Sequence, residues 1–354
     1  MERNAFSYRR STAMICFSLI VMFLASTGYA LQVSFLVGDV KLMRKKQTMK
    51  LTERTPIKSG DTIITGTRAL VTFSYKDGSR VEVREKSRIM VGNESVNDSE
   101  FVSVVSGVVK GKFQKITKGD TRRVYTPTTV CAIRGTEFSI AVSDGGNSRV
   151  ALDEGKLEVR NPYGRVNIDE GDNTTVRVSD RPESDTEDVS LDIWQDGENR
   201  SFQKDPQGQG DKYSDYMGKF QENSGKTSQK IQGYKRNFSS NKRGGKESLE
   251  RATQELDEVE ENLEDDMYLN NAANSAVDGI ANNFKDSRGD LYNSFQRIKS
   301  DSDRISSQQQ RNYQALAAVR EAYRKAYEEI VKRHHGEVDR MKDMLKKQRE
   351  SQMR

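Results

Sequence analysis

Cysteine, tryptophan, histidine and proline are all scarce in this chain of 354 residues, which holds two, one, two and five of them. Each scarcity excludes something. Cys16 lies in an apolar N-terminal run, so its removal leaves Cys131 without an intramolecular disulfide partner. Cys131 itself, between Val130 and Ala132, reads as a small buried strand residue. His334 and His335 have no cysteine or carboxylate pattern beside them that would hold a metal. No nucleophile and base stand at usable spacing, so no catalytic, metal-binding or cofactor-binding residues are expected. Apolar residues are sparse too, at 34% with a mean hydropathy of −0.83. That is too little for one core along the whole length and points to a globular part joined to an extended one. The net charge of +5 is modest and does not suggest nucleic acid, which needs a clustered basic face.

What is present begins with a targeting segment. Arg3, Arg9 and Arg10 precede an apolar run over residues 13–25, and Gly28-Tyr29-Ala30 supplies small residues at a cleavage site. Residues 1–30 are therefore expected to be a signal peptide, so that the mature chain is exported. A retained single-span anchor is the alternative, because the run nearly reaches the ~20 residues a span needs. Membrane contact is expected only in that case. Cys16 sits inside the apolar run rather than at its end, which argues against a lipoprotein.

Residues 31–178 show short alternating strands with turn punctuation. Ala69, Val71, Phe73 and Tyr75 alternate with polar residues, Asp77-Gly78 turns the chain, and Val81 and Val83 return, the pattern of a tight hairpin. Asp144-Gly145-Gly146-Asn147, Glu154-Gly155, Asn161-Pro162-Tyr163-Gly164 and Glu170-Gly171-Asp172-Asn173 repeat the device. An all-β domain is expected, either a sandwich or a rolled, β-helix-like barrel. Its densest motif is residues 126–138. There Thr126, Pro127 and Thr128 make a turn, residues 130–133 a strand, Gly135 a backbone special, and Thr136, Glu137 and Phe138 lead into the next strand. Gly135 and Pro127 are read as structural. Arg134 and Glu137 are read as a fold-supporting pair, with a direct ligand role for Arg134 as the alternative.

The run from Thr126 to Phe138 resembles the signature of the FecR domain family. Other elements fit in order: Gly38-Asp39-Val40, residues 57–66, residues 69–79 with one extra residue before Asp77, Ser106-Gly107-Val108, and residues 152–159. The resemblance implies an extracytoplasmic sensing and interaction module of bacterial envelopes. Regulators of that family carry a cytoplasmic segment that restrains a sigma factor, then a transmembrane helix, then the β domain. Only twelve residues precede the apolar stretch here, so direct anti-sigma action is not expected.

Residues 179–246 are rich in Asp, Ser, Gly, Gln and Lys and are expected to form a largely disordered, basic linker. Its aromatics are Trp194, Phe202, Tyr213, Tyr216, Phe220, Tyr234 and Phe238. Residues 247–354 change to a heptad. Leu249, Leu256, Leu263, Asn270, Val277, Phe284, Leu291, Ile298 and Ile305 recur every seven residues as a coiled-coil seam. Asn270 either fixes register or is an incidental polar gap. The pattern then slips by one after 306–310, marking either a distortion in one long helix or a hairpin turn near 299–310. Residues 247–266 hold ten acids and one base, and residues 320–354 eleven bases against seven acids. That asymmetry favours an antiparallel arrangement, within one chain or between two.

The sequence thus describes a non-enzymatic, exported envelope protein. Its FecR-like domain is expected to bind an envelope protein or a cell-wall polymer, with no nucleic acid, and its helices to self-associate or dock. A membrane-anchored FecR-like sensor of an extracytoplasmic signalling system is the alternative.

Overall fold

The computed structural model describes residues 31–45, 47–93, 98–115, 122–133, 135–187 and 189–352. The segment 1–30 and Arg134 lie outside the described residues. In chain order the strands are β1 (Leu31–Val37), β2 (Val40–Arg44), β3 (Gln47–Lys50), β4 (Thr62–Thr65), β5 (Leu70–Tyr75), β6 (Arg80–Val83), β7 (Arg88–Asn93) and β8 (Asp98–Lys112). They continue as β9 (Arg122–Tyr125), β10 (Val130–Ile133), β11 (Glu137–Val142), β12 (Ser148–Glu154), β13 (Lys156–Asn161), β14 (Gly164–Asp169), β15 (Asn173–Val176) and β16 (Glu183–Asp185).

The chain weaves between two sheets. One runs β1-β5-β6-β8-β11-β12-β15-β16 and the other β3-β2-β4-β7-β8-β9-β10-β13-β14. Both architectures drawn from the sequence meet in this arrangement: a two-layered core whose strands roll repeatedly from one layer to the other. β8 belongs to both sheets. Ser106 and the residues before it pair with β7, while Gly107 onward pairs with β11. Gly107 makes the corner at φ +96°, and a Cβ there would sit 2.4 Å from Ser87 Cα. No side chain fits that approach. The Asp77-Gly78 turn joins β5 and β6 as a hairpin, and residues 161–164 join β13 and β14. Glu154-Gly155 marks a crossing instead: β12 pairs with β15 and β13 with β10, so the chain changes sheets there. Between the layers lie Phe73, Val81, Ile89, Val104, Phe138, Ile140, Val150 and Val159, all essentially sealed from water.

Four helices follow: α1 (Leu191–Lys204), α2 (Pro206–Arg243), α3 (Gly245–Phe284) and α4 (Gly289–Gln352). The expectation of a disordered linker over residues 179–246 is corrected by α1 and α2. Its aliphatic poverty was misleading because aromatics supply the apolar surface. Tyr213, Tyr216, Met217, Phe220 and Ile231 recur at helical spacing and are buried. Asp205 starts α2 by accepting the Gly208 amide at 2.9 Å, with Pro206 in the first turn.

α2, α3 and α4 form an antiparallel bundle. Leu249, Leu256, Leu263, Asn270, Val277, Leu291, Ile298 and Ile305 are buried, and Phe284 packs half-buried at the end of α3. The hairpin turn falls at residues 285–288, and of the two alternatives for 299–310 the turn is excluded, since α4 runs through that stretch as helix. The polar run that suggested a turn is instead a hydrogen-bonded layer inside the bundle. Asn270 Nδ2 donates to Ser306 Oγ at 2.9 Å and to Gln309 Oε1 at 3.2 Å, and Ser302 Oγ donates to Asn270 Oδ1 at 2.8 Å. Asn312 Nδ2 donates to the Ser224 carbonyl at 2.8 Å, bringing in α2. Charge asymmetry is used within the chain, with Arg320 Nε donating to Asp257 at 3.1 Å and Lys242 pairing with Glu329 at 2.9 Å. Among the described residues no helix is long and apolar enough to cross a membrane.

Candidate functional site at the junction of the β domain and the helical arm

The 126–138 motif is a structural knot. Thr126, Thr128 and Thr129 have no exposed surface. Thr126 Oγ1 receives the Thr128 and Thr129 amides at 3.2 and 3.0 Å. Ser148 Oγ on β12 donates to Thr126 Oγ1 at 2.7 Å. Thr128 Oγ1 reaches the Val176 carbonyl at 3.2 Å, and Thr129 Oγ1 the Arg160 carbonyl at 2.9 Å. Three small hydroxyls thus tie the β9–β10 turn to β12, β13 and β15, which explains the run of threonines. Gly135 has φ +73° and a Cβ there would meet Lys115 Cγ at 2.5 Å. Thr136 is buried, and Phe138 stacks on Phe113 with centroids 5.8 Å apart.

Glu137 does not act as an isolated ligand group. Lys112 and Lys110 on β8 reach it at 2.6 and 2.9 Å. The hydrogen bond from Lys112, then that from Lys110, hold its carboxyl below the usual range. Cys131 is fully buried, and burial pushes its thiol up to about 12, so it is no nucleophile. His334 and His335 are exposed on α4, and no group of metal-ligating side chains forms among the described residues.

The residues that do converge lie where the β domain meets α3. Tyr125 ends β9 and stacks on Tyr268 at 4.4 Å with the rings 13° apart. Its hydroxyl donates to Asp265 Oδ1 at 3.1 Å. Arg123, two residues earlier on the same face, reaches Glu261 at 2.7 Å and Asp265 at 3.5 Å. Arg160 on β13 reaches Glu261 at 3.0 Å and also pairs with Asp265. Strand alternation places Arg123 and Tyr125 together, and one helical turn places Glu261 and Asp265 together. Asp265 is almost fully buried. Burial pushes its carboxyl up, against the pull of Arg160 and Arg123. The sequence reading missed this cluster. Its signal was the excess of acids in 247–266, which serves the β domain as well as α4.

An apolar layer surrounds the ion cluster. Val105, Tyr125, Val130 and Val178 from the β domain pack with Phe202, Tyr213, Tyr216, Phe220, Tyr268, Leu269 and Ile280 from the helices. Polar contacts close its edge. Gln209 Nε2 donates to the Gly145 carbonyl and Gln195 Nε2 to the Val142 carbonyl, both at 2.6 Å. Asn199 accepts the Asp144 amide at 2.7 Å. The Asp144–Asn147 turn read as a hairpin is thus also the seat of α1 and α2.

Beside the cluster a crevice of about 290 Å³ opens between β13, α2 and α3. Arg160, Lys226, Lys230, Asp265 and Asp266 line it with charge, while Val130 and Leu269 beside it are sealed from water. Asp266 receives the Asn223 side-chain amide at 3.1 Å. Burial pushes its carboxyl up to about 7, with the Asp265 charge adding to the effect and Asn223 and Lys219 opposing it.

Residues 61–158 match the FecR protein family. Two solved structures of a provisionally assigned anti-sigma factor from Parabacteroides distasonis ATCC 8503, at 1.65 and 2.50 Å resolution, each share 16% identity with this chain. They match 38% and 36% of it with TM-scores of 0.32 and 0.31. The matches span 63% and 60% of those chains, less than two thirds of either. No curated protein matches. With the family match lying across β4 to β13, this chain carries a FecR domain, built into a two-sheet β unit and followed by a helical arm.

Proposed function

We propose that this is a non-enzymatic, exported regulatory protein of the bacterial envelope, in which the FecR domain binds an envelope protein or cell-wall component and the helical arm associates with a second copy of the chain. The observation that carries this reading is the free end of α4. α2 ends at Arg243 and α3 begins at Gly245, and their tip packs near Tyr323 and Glu329. α4 runs on alone to Gln352, a further ~30 Å at 1.5 Å per residue. Val338, Met341 and Leu345 on that stretch are 41, 60 and 55% exposed. They continue, at steps of three and four, the face that buries Leu316 and Tyr323 in the bundle. A lone helix of this length is marginal in water without a packing partner. Residues 331–345 mix bases with acids, which suits another helix better than an anionic lipid surface.

A second copy laid along the stripe would extend the bundle's own seam and close as a two-fold pair. Light scattering on the chain from residue 31 tests this. A dimer is expected, reduced to monomer by Met341→Glu with Leu345→Glu while the β domain keeps its melting temperature. A monomer at every concentration would overturn it.

A further inference from the structure

A second crevice, of about 140 Å³, lies where β7 and β8 meet α3. Arg88 of β7 and Ser106 of β8 are cross-strand partners there. Arg88 reaches over to the helix, its Nη1 3.6 Å from the point that a Cβ on Gly279 would occupy. Ser275 and Asn283 stand one helical turn to either side of Gly279, on the same stripe of α3, and both line the crevice. Asp144, from the β11–β12 turn, completes the polar lining from an exposed position. Val105, Ala276 and Ile280 beside it are sealed from water and offer a ligand no apolar surface.

These polar side chains differ from the rest of the junction in being unspent. Arg123, Arg160, Glu261 and Asp265 answer one another, and Gln195 and Gln209 are bonded to backbone carbonyls. Among the described residues, the side chains of Arg88, Ser106, Asp144, Ser275 and Asn283 have no hydrogen-bond or ion-pair partner. The Arg88 side chain is half-buried, and a part-desolvated guanidinium gains most from an anion that accepts several of its hydrogen bonds. Arg88, two hydroxyls and an amide supply many donors, against one carboxylate acceptor from Asp144. That ratio suits an oxyanion that keeps one hydrogen of its own.

We propose that this crevice binds hydrogenphosphate, its bare oxygens on Arg88, Ser106, Ser275 and Asn283 and its P–OH donating to Asp144. The volume of about 140 Å³ is below that of drug-sized ligand pockets and suits an ion of a few heavy atoms. At pH 7.5 hydrogenphosphate keeps its proton. Sulfate has none, and a phosphate monoester, with a second pKa of about 6, has almost none. Both would turn bare oxygens toward the Asp144 carboxylate, so the site selects the free phosphate ion over sulfate and over phosphate esters. The inference goes beyond the envelope binding and self-association proposed above and depends on neither. Because the β domain and α3 each supply part of the site, a bound ion ties the two together.

Titration calorimetry of the chain from residue 31, at pH 7.5 in a buffer free of phosphate and sulfate, tests this with inorganic phosphate, sulfate and glycerol 3-phosphate. Saturable binding of phosphate is expected, with the other two weaker by about tenfold or more. Arg88→Gln should weaken phosphate by about tenfold or more. Asp144→Asn replaces the acceptor that turns bare oxygens away, so it should tighten sulfate about tenfold. Neither substitution removes a side-chain contact of the fold, and an unchanged melting temperature without phosphate checks that each variant is folded. Absence of saturable phosphate binding to the parent chain would overturn the proposal. So would sulfate binding as tightly as phosphate, parental phosphate affinity in Arg88→Gln, or unchanged selectivity in Asp144→Asn. The mass measurement on α4 is separate, so a failed titration with an intact dimer would sink the crevice and leave the association reading standing.

Discussion

Tyr125 of the FecR domain donates its hydroxyl to Asp265 of α3 at 3.1 Å across 140 residues of sequence. The bond sits between two arginines and two acids, under a stacked tyrosine pair. It makes the β domain and the helical arm one folded unit rather than two bodies on a tether.

The first prediction concerns that cluster. Asp265→Ala leaves Arg123 and Arg160 sharing Glu261, with Arg160 keeping its pairing to Glu158 at 3.4 Å. Removing one member of a buried ion network costs about 3 kcal/mol. Tyr125→Phe, which keeps the ring stack, should cost about 1 kcal/mol. Urea unfolding of both variants checks the order, and equal effects would mean that the charge cluster is not what joins the parts.

A second prediction concerns Gly146. It has φ +88°, and a Cβ there would lie 1.9 Å from the Tyr213 hydroxyl. Gly146→Ala must push Tyr213, which has no exposed surface, out of the junction. A loss of about 2–4 kcal/mol is expected from the backbone strain and the disturbed packing together. A neutral substitution, by thermal melting, would place α2 differently against the Asp144–Asn147 turn.

Much of this was legible beforehand, for physical reasons. Asp77-Gly78 announces a hairpin because few residues accept the positive φ of Gly78, and Asn161–Gly164 because an Asn side chain closes such a turn, here by accepting the Tyr163 and Gly164 amides. The heptad from Leu249 to Ile305 announces a buried helical face. What failed had competing signals. The segment holding Tyr213, Tyr216 and Phe220 looked like a linker because its apolar residues are aromatic and widely spaced among Gly, Ser and Lys. Polar residues make 299–310 read as a turn or a helix distortion, yet Ser302, Gln309 and Asn312 are buried in a hydrogen-bonded layer. Arg123, Arg160 and Asp265 were invisible as a site, since nothing in spacing links residues of β9, β13 and α3.

The third prediction is a pH dependence. The Asp266 carboxyl is raised from 3.8 to about 7 in the folded chain. The folded state therefore binds more protons than the unfolded state between those values, and stability falls as pH rises through that window. Asp266→Asn keeps the contact with Asn223 and removes the titration. It should be more stable than the parent at pH 8 by up to about 4 kcal/mol and nearly equal at pH 4. Denaturant curves at the two pH values check this, and a parallel shift at both would mean that Asp266 is not the titrating group.

The fourth prediction addresses Asn270. Replacing it with Leu strands Ser302 and Gln309, which it satisfies within the bundle. A cost of about 1–3 kcal/mol is expected despite the gain in apolar surface. If Asn270→Leu stabilises the chain, the polar layer is an incidental gap and register is set by the apolar seam alone.

The most direct test of the account is the distance between the β domain and the arm, measured by electron spin resonance. Labels at Lys156→Cys and Glu328→Cys sit on exposed positions, and Cys131 is sealed in the core. A single narrow distance distribution is the predicted result, broadened by Asp265→Ala. A broad distribution in the parent chain would contradict the account, since the FecR domain and the helices would then move as separate bodies.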